Sequence, residues 1–362
     1  PTSADVRRAV GLLTEDLLID FPFVANRDKA HAVALALLPF VRPLIAGPTP
    51  LHLIRKPMPG AGASLLTQCL LIPAVGAPTP ITEAKTNEEW RKRLTATLRG
   101  LPAYVWIDNL GDRLDSVALS SVLSTEGTKD RIMGTSDEIE LPIHCAWVAT
   151  ANNPTLSDEI ARRTVPISID PQVERPQERG GFKHRMPRWA LTNRSRLIEA
   201  AGTLVQAWIA AGMPMASSVK PLGTFEAWTE GMGGILDVCG IEGFLEDQAS
   251  FYERHDDEGD AMRRFVALWS HRFREDPVGV AELLPLAMQI GELGISAKDQ
   301  GNSVSLGRRL LREVDRIYSG MRIVYVGRYA NAKRYRLSVV QPDSAQTPPP
   351  QAVDQRQLRA LP

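Results

Sequence analysis

Cysteine is scarce in this chain. Cys69, Cys145 and Cys239 are the only three among 362 residues, and they lie far apart without the paired spacing of metal ligands. A disulfide framework is therefore excluded, no structural zinc is implied, and free buried thiols in a reducing compartment are expected. An excess of either charge is missing as well. Forty-two Lys plus Arg stand against 42 Asp plus Glu, a formal net charge of zero, so the total does not steer the chain toward nucleic acid or an acidic membrane. Long hydrophobic runs are also absent. The longest apolar stretch, Ala32 to Val41, falls far short of the roughly 20 residues that span a bilayer. The first residues carry Asp5, Arg7 and Arg8 where a secretory signal needs an apolar segment, so no membrane partner and a cytoplasmic location are expected. What is present is 44% hydrophobic residues, enough for two or three domains with cores of their own.

Apolar periodicity predicts helices over 7–20 and 30–41, separated at Phe21-Pro22. Gly47-Pro48-Thr49-Pro50 then punctuates the chain before a short strand, 51–54. Beyond a loop at 55–62, helices at 63–71, 87–99 and 116–124 alternate with strands at 103–107, 144–150 and 165–169 and a strand pair around 131–142. This alternation fits a three-layer α/β domain, because each parallel strand must return through a crossover. After a polar stretch, 171–185, helices at 187–211 and 224–236 form a helical satellite. Eight acidic residues between 242 and 260 read as a solvated helical face or hinge before a helix at 261–272.

Helices at 278–288 and 305–318, then strands at 321–326 and 334–340 around a turn at 327–333, suggest a winged helix-turn-helix. The expected division is an N-terminal helical segment 1–45, a core 46–185, a satellite 186–272, a winged domain 273–342 and a disordered tail 343–362 rich in Pro and Gln. Nine basic residues fall between 308 and 336, against only Glu313 and Asp315, so the neutral total conceals a positive C-terminal end. Arg308, Arg309 and Arg312 on the second helix, and Arg328, Lys333 and Arg334 on the hairpin, are the candidate DNA contacts. Tyr325 and Tyr329 are either packing residues of the wing or stacking platforms for exposed bases.

Four elements carry chemistry. Lys56-Pro57-Met58-Pro59-Gly60-Ala61-Gly62-Ala63-Ser64-Leu65 follows a strand and opens a helix, the context in which a glycine-rich loop aims backbone N–H groups at phosphates. Ser64 falls where a hydroxyl can meet Mg²⁺. Pro57 and Ala63 stand where the phosphate-loop pattern has Gly and Lys, which leaves Lys56 or Arg55 as the cations nearby in sequence. Next, the apolar strand Tyr104 to Ile107 ends in Asp108, a second Mg²⁺ candidate, and Asn109, which can orient a water but cannot take its proton. A third strand, Trp147 to Ala151, ends in Asn152 and Asn153, either of which can bond an attacking water or a γ-phosphate. The fourth element is Ser157 to Arg163, a short helix with Ser157 as its cap and two guanidiniums, Arg162 and Arg163. Each has a plain structural alternative: a strand-to-helix turn, an Asx turn, an Asn-Pro turn, a salt-bridged arginine pair.

In this order and spacing, together with Asp20-Phe21-Pro22-Phe23 and Leu222 to Trp228, the four elements resemble the AAA+ helicase-like module of phage, plasmid and mobile-element replication proteins. The resemblance covers about residues 16 to 340. It implies a three-layer P-loop NTPase core with a helical satellite and a winged helix. Pro59, Gly60, Ala61, Gly62, Ala63, Ser64 and Leu65 would hold ATP, with Lys56 standing in for the absent lysine. Ser64 and Asp108 would hold Mg²⁺, Asn152 would be the polar sensor, and Arg162 or Arg163 would be the finger reaching a neighbouring subunit. Lys129 and Arg131, in the stretch 125–136, would face a ring pore. The implied activity is an ATP-driven DNA helicase or translocase acting on single-stranded or forked DNA, homo-oligomeric and hexameric, with a fused or separate primase-polymerase as partner. The competing expectation is a catalytically weak or inactive nucleotide- and DNA-binding scaffold.

Overall fold

The computed structural model describes residues 1–111, 113–131, 138–216, 219–246, 248–255, 257–293, 302–329 and 332–340. The expected tail at 343–362 lies outside them. The chain divides into two units, Pro1–His255 and Asp256–Pro362.

The first unit contains strands β1 (Leu51–Lys56), β2 (Ile81–Thr82), β3 (Tyr104–Leu110), β4 (Arg113–Leu114), β5 (Gly127–Arg131), β6 (Glu138–Pro142), β7 (Ala146–Asn152), β8 (Thr155–Leu156) and β9 (Thr164–Ser168). Five of them form one parallel sheet in the order β2-β3-β7-β1-β9. From β1 the chain therefore runs to the far edge at β2, returns through β3, inserts β7 between β3 and β1, and ends beyond β1 at β9. The strands are nearly continuous apolar runs because both faces are covered. Ile54, Trp106, Val148 and Val165 pack on one side against helices Asn26–Val41, Ala63–Val75, Arg194–Ala210 and Glu226–Cys239. Leu53, Val105, Ile107, Trp147 and Ala149 pack on the other against Trp90, Leu94 and Leu119 of helices Asn87–Leu98 and Val117–Leu123. Alternation along each strand assigns the two sides and gives a three-layer α/β core.

The N-terminal helices and the expected satellite share the first of these cores, so residues 1–255 form one unit and not three. Trp228 and Phe225 of the Leu222 to Trp228 segment are buried in it and are packing residues. His31 ties it together: Leu245 N–H donates to Nε2 at 3.0 Å, which leaves Nδ1 to donate to Pro166 O at 2.7 Å. The three thiols are free and buried, and burial pushes Cys69 and Cys145 up to about 12 and Cys239 to about 11.

In the second unit, helices Asp257–Phe273, Val280–Ala287 and Asn302–Arg312 pack on an antiparallel sheet of β10 (Val278–Gly279), β11 (Ile317–Tyr318), β12 (Met321–Tyr329) and β13 (Ala332–Val339), ordered β10-β13-β12-β11. Two expectations are corrected here. The boundary falls near 255 and not at 272, because Met262, Phe265 and Trp269 share a core with Leu306, Leu310, Tyr335 and Leu337. The helix expected over 305–318 stops at Arg312: the buried Glu313 carboxylate accepts from Tyr318 Oη at 2.6 Å and Arg316 at 2.9 Å, and Asp315 turns with φ +68°.

Burial holds His31 down at about 4 and His52 at about 3, both from an ordinary 6.5. Folded values below the unfolded one mean that the unfolded chain takes up protons first. Stability is thus full above about pH 6.5 and falls as the pH drops toward 4, by about 3 kcal/mol for His31 alone. Urea titrations at pH 7.5 and 5 should show about 2 kcal/mol of this loss for His31. His52 Nε2 has no partner among the described residues and its ring meets Trp228 edge-on, so His52→Phe should fold normally at pH 7.5 and lose less stability at pH 5.

Candidate functional site

Strands β1, β7 and β3 lie side by side, and at the carboxyl rim of the sheet they present Lys56, Asn152 and Asp108. The carboxyl ends of strands where the order of a parallel sheet reverses are where such folds bind ligands. Lys56 is paired with Asn152 in the register, and Asn153 N–H donates to Lys56 O at 3.1 Å.

The loop from β1 into helix Ala63–Val75 turns on Gly60 (φ +84°) and Gly62 (φ +99°). A Cβ at Gly62 would meet nothing within 4 Å, so the left-handed backbone, and not crowding, requires glycine. Leu66 is the first residue whose N–H bonds back along the helix, to Gly62 O at 2.8 Å, and no side chain caps the turn. The leading amides therefore stand ready for an anion. Ala63 is 1% exposed and packs in the core, whereas Ser64 turns to the rim.

Ser64 Oγ donates to Asp108 Oδ1 at 2.8 Å, and Thr150 Oγ1 donates to the same oxygen at 2.6 Å. Thr150 Oγ1 in turn accepts from Asn109 N–H at 2.8 Å. Three elements distant in sequence thus meet on one carboxylate. Lys56 is 8% exposed; burial pushes its ammonium down and the nearby Asp108 charge opposes that. Hard oxygen donors suit Mg²⁺, and the Ser64 hydroxyl and Asp108 carboxylate are already within one hydrogen bond of each other.

Asn152 and Asn153 separate clearly. Asn152 Oδ1 is buried without a partner among the described residues, whereas Asn153 is exposed with φ +39°. Asn109 is also exposed, with φ +55°. A cavity of about 310 Å³ flanks the loop, lined by Phe21, Gly60, Gly62, Leu65, Arg179 and Arg185 among others. Its outer wall is fixed by Asp20, which accepts from Lys183 N–H at 2.9 Å and His184 N–H at 3.0 Å.

Arg162 and Arg163 are not at this rim. Arg163 O accepts from Leu51 N–H at 2.8 Å, at the start of β1 and β9. The six residues of β1 put that end about 17 Å from the loop. Both guanidiniums pair with Glu159, at 2.6 and 2.7 Å, but Arg163 also binds Ser124 and its side chain is 21% exposed against 62% for Arg162. Ser157 sits at the cap position without a side-chain capping bond, and its Oγ is buried without a partner among the described residues.

Strands β5 and β6 form an antiparallel hairpin on which Lys129 pairs with Glu140 at 3.4 Å. The tip, 132–137, and the Arg131 side chain lie outside the described residues. In the second unit, Arg308, Arg312 and Arg328 are exposed. Arg309 is half-buried and reaches Leu293 O at 3.5 Å. Lys333 is half-buried, and Arg334 is held by Pro277 O at 2.8 Å and lies over the Tyr329 ring at 5.3 Å. Tyr329 is 70% exposed, and Tyr325 packs beside Tyr335.

Sequence reasoning missed Thr150 and the 176–186 wall. A polar residue inside the otherwise apolar run Trp147–Ala151 was the available signal for Thr150.

No protein-family profile matches the chain, and no curated protein is similar to it. Among solved structures it is similar to the C-terminal region of NrS-1, at 12% identity and TM-score 0.41 over 93% of this chain and 76% of that one. It is also similar to the SCCmec type IV Cch active helicase, at 10% and 0.36 over 94% and 70%, and to JCV helicase, at 13% and 0.24 over 73% and 72%.

Thr150→Val removes the donor to Asp108 and the acceptor for Asn109 N–H while keeping the shape. Urea unfolding should show a loss of about 2–3 kcal/mol, with most of it recovered in Thr150→Ser.

Proposed function

We propose that the chain is an AAA+-type, ATP-dependent DNA helicase or translocase module of a mobile-element replication protein, working as a ring of identical subunits, a hexamer in this reading. The observation that carries it is the Ser64–Asp108 hydrogen bond at the carboxyl rim, in a sheet where β7 lies between the loop strand and the acid strand. The leading amides of helix Ala63–Val75 would bind the phosphates of ATP. Lys56, desolvated and within the field of Asp108, supplies the positive charge that Ala63 cannot. Ser64 and Asp108 would hold Mg²⁺, which when bound offsets phosphate charge. Asn152, whose buried Oδ1 has no donor among the described residues, would orient the attacking water.

Arg162 is the better finger of the two. It is the more exposed, and its place at the opposite rim suits a neighbour's nucleotide and not its own. The cavity beside the loop would take the nucleoside. The second unit, with the helix–strand order of a winged helix-turn-helix, would place helix Asn302–Arg312 against DNA with Arg308 and Arg312 outward, and Arg328 on the hairpin would reach backbone phosphate. Lys129 on the β5–β6 hairpin would face the pore. A primase-polymerase, fused or separate, is the proposed partner.

A second reading, a nucleotide- and DNA-binding scaffold for origin recognition or primase tethering, is favoured by the outward Asn109 and the buried Ala63. Turnover separates the two. ATP hydrolysis stimulated by single-stranded or forked DNA and abolished in Asp108→Ala supports the motor; salt-sensitive DNA binding without turnover supports the scaffold.

Lys56→Met removes the cation that offsets the Asp108 carboxylate while also relieving the burial of an ammonium, so the nucleotide-free protein should still fold but be less stable than the native chain, by up to about 3 kcal/mol in urea unfolding. It should abolish ATP binding in calorimetry; unchanged affinity would remove Lys56 from the site. Arg308→Ala and Arg312→Ala should each weaken DNA binding evenly across sequences and reduce the slope of log affinity against log salt by about 1.

A further inference from the structure

Hydrolysis needs a carboxylate able to take a proton from water, and neither position 108 nor position 109 offers one. Asn109 is an amide and faces solvent, and Asp108 is engaged by Ser64 and Thr150. Asp170, just beyond β9, accepts from Gln172 N–H. Glu83 is differently placed. Strand β2 pairs with β3 so that Thr82 lies beside Asp108, and Glu83 is the next residue outward on the same rim. Its backbone is clamped by Arg93, whose Nη1 donates to Glu83 O at 2.7 Å and to Thr82 Oγ1 at 2.7 Å. Its carboxylate is half-buried and leans over the turn that follows β3, where Gly111 N–H donates to Oε2 at 2.8 Å. A Cβ at Gly111 would come within 3.1 Å of that oxygen, so the carboxylate lies close against the turn. Oε1 accepts no hydrogen bond from the described residues.

We infer that Glu83, supplied by the neighbouring strand, is the general base for ATP hydrolysis in this chain, in place of a carboxylate at position 109. This rests on the nucleotide site proposed above. In the step, Glu83 Oε1 takes one proton from a water, and the water oxygen forms a bond to the γ-phosphorus. The bond from that phosphorus to the β,γ-bridging oxygen breaks, its electron pair stays on the bridging oxygen, and ADP and inorganic phosphate result. The acquired proton then passes to solvent. A carboxylate one residue beyond the Thr82–Asp108 pair, held by Gly111 N–H on one oxygen and by Arg93 at its backbone, has the positioning that proton abstraction requires.

The isostere Glu83→Gln gives a decisive test, because its amide oxygen still accepts from Gly111 N–H but cannot take a proton. ATP affinity by calorimetry, thermal melting and steady-state hydrolysis with forked DNA are measured on the full chain, native and variant. The expected result is unchanged melting, ATP affinity within about threefold and turnover reduced by about a hundredfold or more, with partial turnover in Glu83→Asp. Glu83→Gln turning over at half the native rate or better overturns the inference and leaves the nucleotide site standing. Loss of ATP binding or of the fold in that variant makes Glu83 a structural residue and also overturns it. A native chain that binds no ATP sinks the nucleotide site and this inference together; one that binds ATP without turnover sinks the base alone and favours the scaffold.

Discussion

A carboxylate at the tip of a strand buried on both faces has to be satisfied, and the way Asp108 is satisfied organises the first unit. Its Oδ1 accepts from Ser64 on the loop helix and from Thr150 on the adjacent strand, and Thr150 closes on Asn109 N–H. These bonds fix the helix start against β3 and β3 against β7, which in turn holds Lys56 beside Asn152. The left-handed turn at Asn109 follows from the same arrangement, since the backbone must swing its N–H toward Thr150 and its side chain then leaves the site. One hydrogen-bonded acid thus decides both the shape of the rim and which residue at it is lost to solvent.

The two arginines show how one local motif divides between an anchored and an exposed side chain. Glue and reach are incompatible demands on a single side chain. Arg163, tied to Glu159 and Ser124 and with its carbonyl bonded to Leu51, anchors the amino rim of β1. Arg162 shares Glu159 but remains mostly in water, where an exposed ion pair is worth little and is readily exchanged for another anion. The second unit divides its basic residues in the same way: Arg334 holds Pro277 O, while Arg308 and Arg312 stay on the open face of their helix.

Most of the sheet was legible because parallel strands buried on both faces read as apolar runs, and the rim was legible because polar residues interrupt those runs at their ends. Strand β2 was not, since two residues, Ile81 and Thr82, carry no period. Thr150 was hidden because threonine is at home in a strand, and only its neighbours across the sheet reveal a hydrogen-bonding role. The boundary near 255 escaped because helix Asp257–Phe273 has an apolar stripe that either flanking core could have taken; Phe265 and Trp269 commit it to the second. The overlong helix at 305–318 had the same origin: alternation in Ile317-Tyr318 and helical periodicity are indistinguishable over two residues, and the buried Glu313 that ends the helix looks in sequence like one more surface acid.

On the proposed reading, the position of the positive charge is the deepest departure from the usual phosphate loop. An ammonium on the first helical turn would sit on a side chain free to follow the phosphates, but Ala63 faces the core there. Lys56 instead projects from the end of a strand held by parallel neighbours on both sides, buried, with its charge offset by Asp108. On the proposed reading this couples the two halves of the substrate. A divalent cation arriving alone at Asp108 would take away the charge that compensates Lys56 and leave a buried ammonium facing a dication. Phosphates arriving alone would face the unshielded Asp108 carboxylate. Only the two together would leave no buried charge without its opposite, so on this reading a lysine at position 56 would favour the cation–nucleotide complex over either component.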